Sequence, residues 1–187
     1  MGIRRGYSAG FVFAAAACYS VELNALRELM LKKLRQFAAL NFQQKSIFIE
    51  AWFLLGWMRV AILAVSFKRL VRALEHHRGT TAALILDECQ ITQALEIGFL
   101  VERAARYTPW QSRCLAQVLV VQRLLSARGI SGQFFLAVRK GRSESAKPDS
   151  LFAHAWVRCG DVIVNGGHGH EQFVVVSSFS WRAGKPF

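Results

Sequence analysis

The sequence has little of several things, and each shortage excludes something. Its 187 residues hold three prolines, four cysteines, and only 12 acidic side chains against 24 basic ones. Few prolines combined with 53% hydrophobic residues exclude a disordered chain. The cysteines, Cys18, Cys89, Cys114 and Cys159, form no CxxC or CxxH pair, which excludes a zinc ribbon and a dense disulfide framework. They read as reduced thiols of a cytoplasmic protein. No zinc finger, RNP-type or glycine-rich phosphate motif accompanies the positive charge, so nucleic acid is not an expected partner. Internal repeats and low-complexity tracts are absent as well.

What is present is one domain's worth of chain, with room for a real core. The formal charge of +12 is uneven: +8 over residues 1–78, −2 over 79–106 and +6 over 107–187. Such a balance suits an acidic peptide or a membrane surface. Residues 1–29 are an extension of uncertain kind. Arg4-Arg5 followed by Phe11 to Cys18 faintly resembles a signal peptide, while Met30-Leu31-Lys32-Lys33-Leu34-Arg35 offers an alternative start that opens an amphipathic pattern. The longest apolar run, Ala51 to Phe67, carries Arg59 near its middle, which favours a buried or membrane-grazing helix over a spanning one.

Residues 30–92 read as a basic, apolar helical region and 93–187 as a catalytic core. The helical pattern breaks at His76-His77-Arg78-Gly79, where the two histidines are expected at a helix end. One or two helices follow over residues 84–106, and a further one runs on to a glycine C-cap at Arg128-Gly129. The period then changes to that of strands, over Gln133 to Lys140, Phe152 to Cys159, Asp161 to Asn165 and Phe173 to Trp181. A polar loop, Gly141 to Ser150, separates the first two. Helices first and antiparallel strands after define an α+β fold.

Cys114 and His154 are the expected catalytic pair. Thiol chemistry needs a lowered thiol pKa, an imidazole to take the proton and a donor for the oxyanion. Thr108-Pro109-x-Gln111 reads as a capping box with proline at the first helical position, and Ser112 offers a competing cap. Either choice puts Cys114 in the first two turns, where the helix dipole, Arg113 and free backbone N–H groups favour a thiolate and can face an oxyanion. Trp110, Gln111 and Trp156 are candidate substrate-binding residues.

Alternation along the strand puts Phe152, His154, Trp156 and Arg158 on one face. Gly160-Asp161 reads as a hairpin turn. A two-residue turn pairs Cys159 with Val162 and Trp156 with Asn165, which places Asn165 on the face of His154. A three-residue loop puts Gly166 directly across from His154 instead. His168 and His170 lie in the turn Gly166-Gly167-His168-Gly169-His170; such spacing is common in plain loops, and neither a metal nor a cofactor is expected.

The stretch Pro109 through Gly129, with Cys114-Leu115-Ala116-Gln117 and Leu124-Leu125-Ser126-Ala127-Arg128-Gly129-Ile130, together with Phe152-Ala153-His154-Ala155-Trp156-Val157, resembles the transglutaminase-like leader peptidases of lasso-peptide biosynthesis, the B proteins. Val101 to Tyr107 and the basic helical region from Met30 fit the same family, so the similarity covers about 150 residues. It implies a papain-like transglutaminase core, preceded by a helical region, that hydrolyses a ribosomally made precursor with a Cys-His-Asp set. In many relatives the acidic member lies twelve residues after the histidine, a position held here by Gly166. A Cys-His-Asn arrangement through Asn165 would serve instead, with Asp161 as fallback. The resemblance further implies a split form that relies on a separate leader-recognition protein, and an ATP-dependent macrolactam synthetase, the lasso cyclase, that takes the freed core peptide. The basic N-terminal helices could dock that partner or the membrane. Amine transfer by the same Cys-His pair and a non-catalytic scaffold role are the competing readings.

Overall fold

The computed structural model describes residues 37–72, 74–77, 85–140 and 151–182. The signal-like start with Cys18, the opening at Met30, the break at Arg78-Gly79 and the loop Gly141 to Ser150 lie outside the described residues. The chain divides into two compact units, residues 1–45 and 46–187. In the first, Asn41 and Gln44 cap each other: Gln44 N donates to Asn41 Oδ1 at 2.7 Å and Asn41 N to Gln44 Oε1 at 3.1 Å. This reciprocal box opens helix α1 (Phe42–Ala64).

Of the described helices, α1 is long and apolar enough to cross a membrane, by length and composition alone. From Ser46 onward one of its faces is fixed in the second unit. Ile47, Ala51 and Leu55, spaced four apart, are buried. Trp52 Nε1 donates to the Tyr107 carbonyl at 3.2 Å, and Glu50 pairs with Arg128 at 3.1 Å. A short helix α2 (Phe67–Leu70) leads to strand β1 (Glu75–His77). His76 and His77 therefore lie in a strand, where a helix end was expected. His76 Nε2 meets Ser177 Oγ at 3.0 Å, and its ring lies 4.9 Å from that of Phe179.

Helix α3 (Glu88–Ala105) starts at a second capping box, in which Asp87 accepts from Gln90 N and Gln90 returns the contact. Helix α4 (Cys114–Ala127) ends as the sequence indicates. Gly129 N bonds Ser126 O and Ile130 N bonds Leu125 O, the paired bonds of a glycine-terminated helix. Strands β2 (Gly132–Lys140), β3 (Leu151–Cys159), β4 (Val162–Asn165) and β5 (Val174–Trp181) follow, with a short 3-10 turn at His170–Gln172. Together with β1 they form one five-stranded antiparallel sheet in the order β1-β5-β2-β3-β4. Each of the four strands read from the sequence lies within one residue of its expected start.

The sheet and helices meet closely. α4 packs on β3, β2 and β4, and α3 packs on β4 and α4. Val118, Val120, Val121, Leu124 and Leu125 of α4 are buried, as are Ile97, Leu100 and Val101 of α3. The α3–β4 approach depends on Gly98, where a Cβ would stand 1.8 Å from the Val164 carbonyl oxygen. On the sheet, a smaller apolar cluster gathers Phe135, Ala137 and Trp156 with Ile163, Phe173 and Val175. Burying apolar surface on both sides of β2 and β3 makes them the rigid centre of the fold.

Candidate active site

Cys114 is the first residue of α4, half-buried and unbridged. The first i to i−4 bond of the helix runs from Gln117 N to Arg113 O at 3.2 Å. The N–H groups of Cys114, Leu115 and Ala116 therefore precede the helix ladder, at the positive end of the dipole. Arg113 is the N-cap and its side chain makes no capping bond.

This start corrects the capping box expected at Thr108 and Gln111. Thr108 Oγ1 lies 2.9 Å from the carbonyls of Ala105 and Trp110 and 2.8 Å from Ser112 Oγ. Both candidate capping hydroxyls are thus engaged with each other in the loop between α3 and α4, so neither caps the helix. Gln117, one turn beyond Cys114, closes the loop by donating from Nε2 to the Ser112 carbonyl at 2.8 Å.

His154 sits in the middle of β3, across from Ala137, half-buried between the rings of Phe173 (5.1 Å) and Trp156 (5.9 Å). Its Nε2 lies 2.8 Å from the Gly166 carbonyl oxygen. A carbonyl can only accept, so Nε2 carries the proton and the neutral ring keeps its lone pair on Nδ1. The backbone of the residue twelve places on thus makes this contact, at the position where the resemblance implied an acidic side chain. Gly166 has φ +72°, and a Cβ there would stand 2.6 Å from the Ala155 carbonyl oxygen. No side chain fits at this position without moving β3.

The expected role of Asn165 beside His154 is not what the geometry delivers. The hairpin turn has two residues, and Cys159 pairs with Val162 as expected. A bulge then places Asn165 opposite Val157 rather than Trp156. One slipped residue changes the face, so Asn165 shares the side of Val157 while His154 shares that of Trp156. Asn165 is 3% exposed, and its Nδ2 reaches Gly98 O of α3 and Gln117 Oε1 of α4, each at 3.5 Å. Its Oδ1 is buried without a hydrogen-bond partner.

The fallback Asp161 is exposed in the hairpin turn. His154 lies roughly 16 Å along β3 from the strand end at Cys159, and Asp161 lies past that end in the turn, beyond hydrogen-bond reach.

Asn165 and Gly166 together tie the two proposed catalytic elements. On one side the Asn165 amide reaches the first turn of the Cys114 helix, and on the other the Gly166 carbonyl holds the His154 ring. Among the described residues, Cys114 Sγ and His154 are not hydrogen-bonded to each other.

The aromatic candidates have structural duties. Trp156 is 5% exposed and stacks on Phe135 at 5.4 Å, which makes it a core residue more than a substrate contact. Trp110 packs on Trp52 at 5.0 Å with its Nε1 buried and unpartnered. Gln111 is exposed, and its Oε1 accepts from Arg113 Nε and Nη2. His170 Nδ1 lies 2.7 Å from the Gly167 carbonyl and 3.2 Å from Glu171, edge-on to Trp156; His168 is exposed. Sequence reasoning missed Gln117 as the link between the loop, the helix and Asn165; its place one turn after Cys114 was the available signal.

Cys159 differs from Cys114 in kind. It is fully buried, and burial pushes its thiol up to about 12 from an ordinary 9.0. Such a thiol is inert packing.

The model of the transglutaminase-like superfamily matches residues 61–178, well over half of the chain. The chain therefore belongs to the transglutaminase-like superfamily, a fold typical of cysteine proteases and acyltransferases. Among curated proteins and among solved structures, nothing matches it.

Proposed function

We propose that the protein is a cysteine peptidase that removes the leader from a ribosomally made lasso-peptide precursor. The observation that carries the reading is Cys114 at the open first turn of α4, in a superfamily whose chemistry runs through a thiolate. The quoted motifs around Cys114 and His154, with their likeness to the lasso B proteins, support the choice of substrate.

In the proposed reaction Nδ1 of His154 takes the Cys114 proton, and the thiolate attacks the last leader carbonyl to give a tetrahedral oxyanion. N–H groups at the start of α4 stabilise that oxyanion. Collapse breaks the C–N bond, the amine of the core peptide leaves with the proton from His154, and the leader remains as a thioester on Cys114. Water activated by His154 then hydrolyses the thioester and restores the thiol. A separate leader-recognition protein would present the precursor, and an ATP-dependent cyclase would take the freed core peptide.

Two competing readings share these residues. Amine in place of water would make the enzyme a transferase. A scaffold role is favoured by one observation, that a backbone carbonyl stands where relatives carry an acid. Running the reaction with an added primary amine and weighing the released leader separates the readings. A free acid supports the peptidase, an amide the transferase, and an intact precursor the scaffold.

A further inference from the structure

The face of α1 opposite its buried residues is also apolar. Ile49, Phe53, Trp57, Val60 and Leu63 follow one another at intervals of four, four, three and three, which aligns them in one stripe. They are between 47% and 72% exposed. Isolated apolar residues on a surface are ordinary, but five large ones in a row along a single helix mark an interaction surface.

The charges around the stripe select its occupant. Glu50, the only carboxylate in α1, is paired with Arg128, so it presents little free negative charge. Immediately after the helix come Lys68, Arg69 and Arg72, all exposed. A second copy of the chain would bring a like-charged cluster and a further share of the net +12, whereas an anionic surface would gain from both.

We propose that this stripe seats the protein on an anionic lipid bilayer, with α1 lying in the headgroup plane and Lys68, Arg69 and Arg72 meeting the lipid phosphates. An apolar helical stripe with basic residues beside it binds the interface by area and by charge together. Trp57, with an apolar ring and an N–H donor, is suited to that depth. A spanning orientation is disfavoured because it would expose Glu50, Arg128 and the Trp52–Tyr107 bond to hydrocarbon. The proposal is independent of the peptidase reading.

The test is pelleting of the full chain with vesicles of phosphatidylcholine alone or mixed equally with phosphatidylglycerol. The chain is expected to pellet with the anionic vesicles and to stay in solution with the neutral ones. Replacing Lys68, Arg69 and Arg72 with Gln should weaken binding about a hundredfold. The combined Phe53→Ser, Trp57→Ser and Leu63→Ser variant should weaken it at least about tenfold with an unchanged circular dichroism spectrum. Failure to pellet with either vesicle, or equal binding by the charge variant, would overturn the proposal. So would a dimer of the wild type that the apolar variant disperses.

Discussion

The Nε2 of His154 lies 2.8 Å from the carbonyl oxygen of Gly166, so the group that orients the imidazole is backbone. A carbonyl is a weaker partner for an imidazolium than a carboxylate, but its position is fixed by the chain. Gly166 is also where a Cβ would strike the Ala155 carbonyl, which explains why an acidic side chain is not seated at this point.

Gly166→Ala should therefore lower both stability and activity. The positive φ and the 2.6 Å approach cost about 1–3 kcal/mol together, and the carbonyl must shift away from His154. Gly166→Asp should do the same and gain nothing. Chemical denaturation and peptide turnover check both variants; a faster Gly166→Asp enzyme would refute the backbone role.

Asn165→Ala should act on stability more than on catalysis. The amide bridges α3 and α4 at long distances and leaves Oδ1 unsatisfied, so its removal costs about 1–2 kcal/mol. The pH profile of turnover should stay in place, because His154 is held elsewhere. A displaced profile in Asn165→Ala would mean that the amide acts on the imidazole after all.

Native-state alkylation should discriminate among the cysteines. At mildly alkaline pH, half-buried Cys114 and exposed Cys89 should react, while Cys159 should react only after denaturation. The same burial gives a pH dependence. The folded chain holds the Cys159 proton up to about 12, whereas the unfolded chain releases it from 9.0 upward. Unfolding thus releases a proton in that window, and stability should fall as pH rises above about 9. Cys159→Ala should flatten that part of the stability curve.

Gly98→Ala should be the most damaging small change in the helices. Its Cβ would sit 1.8 Å from backbone on β4, so α3 must move off the sheet, at about 3 kcal/mol. A fall in Tm of several degrees checks this; an unchanged Tm would mean that the α3–β4 seam is soft.

The sheet was legible because its strands are short runs rich in β-branched and aromatic residues, bounded by glycines as at Gly160-Asp161 and Gly129. β1 was hidden because three residues, Glu75 to His77, are too short to show a period, and its pairing with β5 is set by contacts about a hundred residues away. The Asn165 register was misread because the shift between Val157 and Arg158 skips Val164, whose carbonyl lies against Gly98 of α3, and simple counting back from the hairpin turn carries no such skip. Likewise, Thr108 and Ser112 form a good local capping pattern, yet their mutual bond takes both hydroxyls away from the helix. The place of Cys114 at a helix start was readable; the hydrogen-bond partner of His154 was not, since a backbone carbonyl leaves no mark in the sequence.

Mass spectrometry of a lasso precursor incubated with this protein and a leader-recognition protein tests the central claim most directly, with wild type beside Cys114→Ala. Cleavage into leader and core by the wild type, and a loss of about a thousandfold or more in Cys114→Ala, is the predicted result. An intact precursor with both proteins, while the recognition protein demonstrably holds the leader, would contradict it. Equal cleavage by Cys114→Ala would contradict it as well.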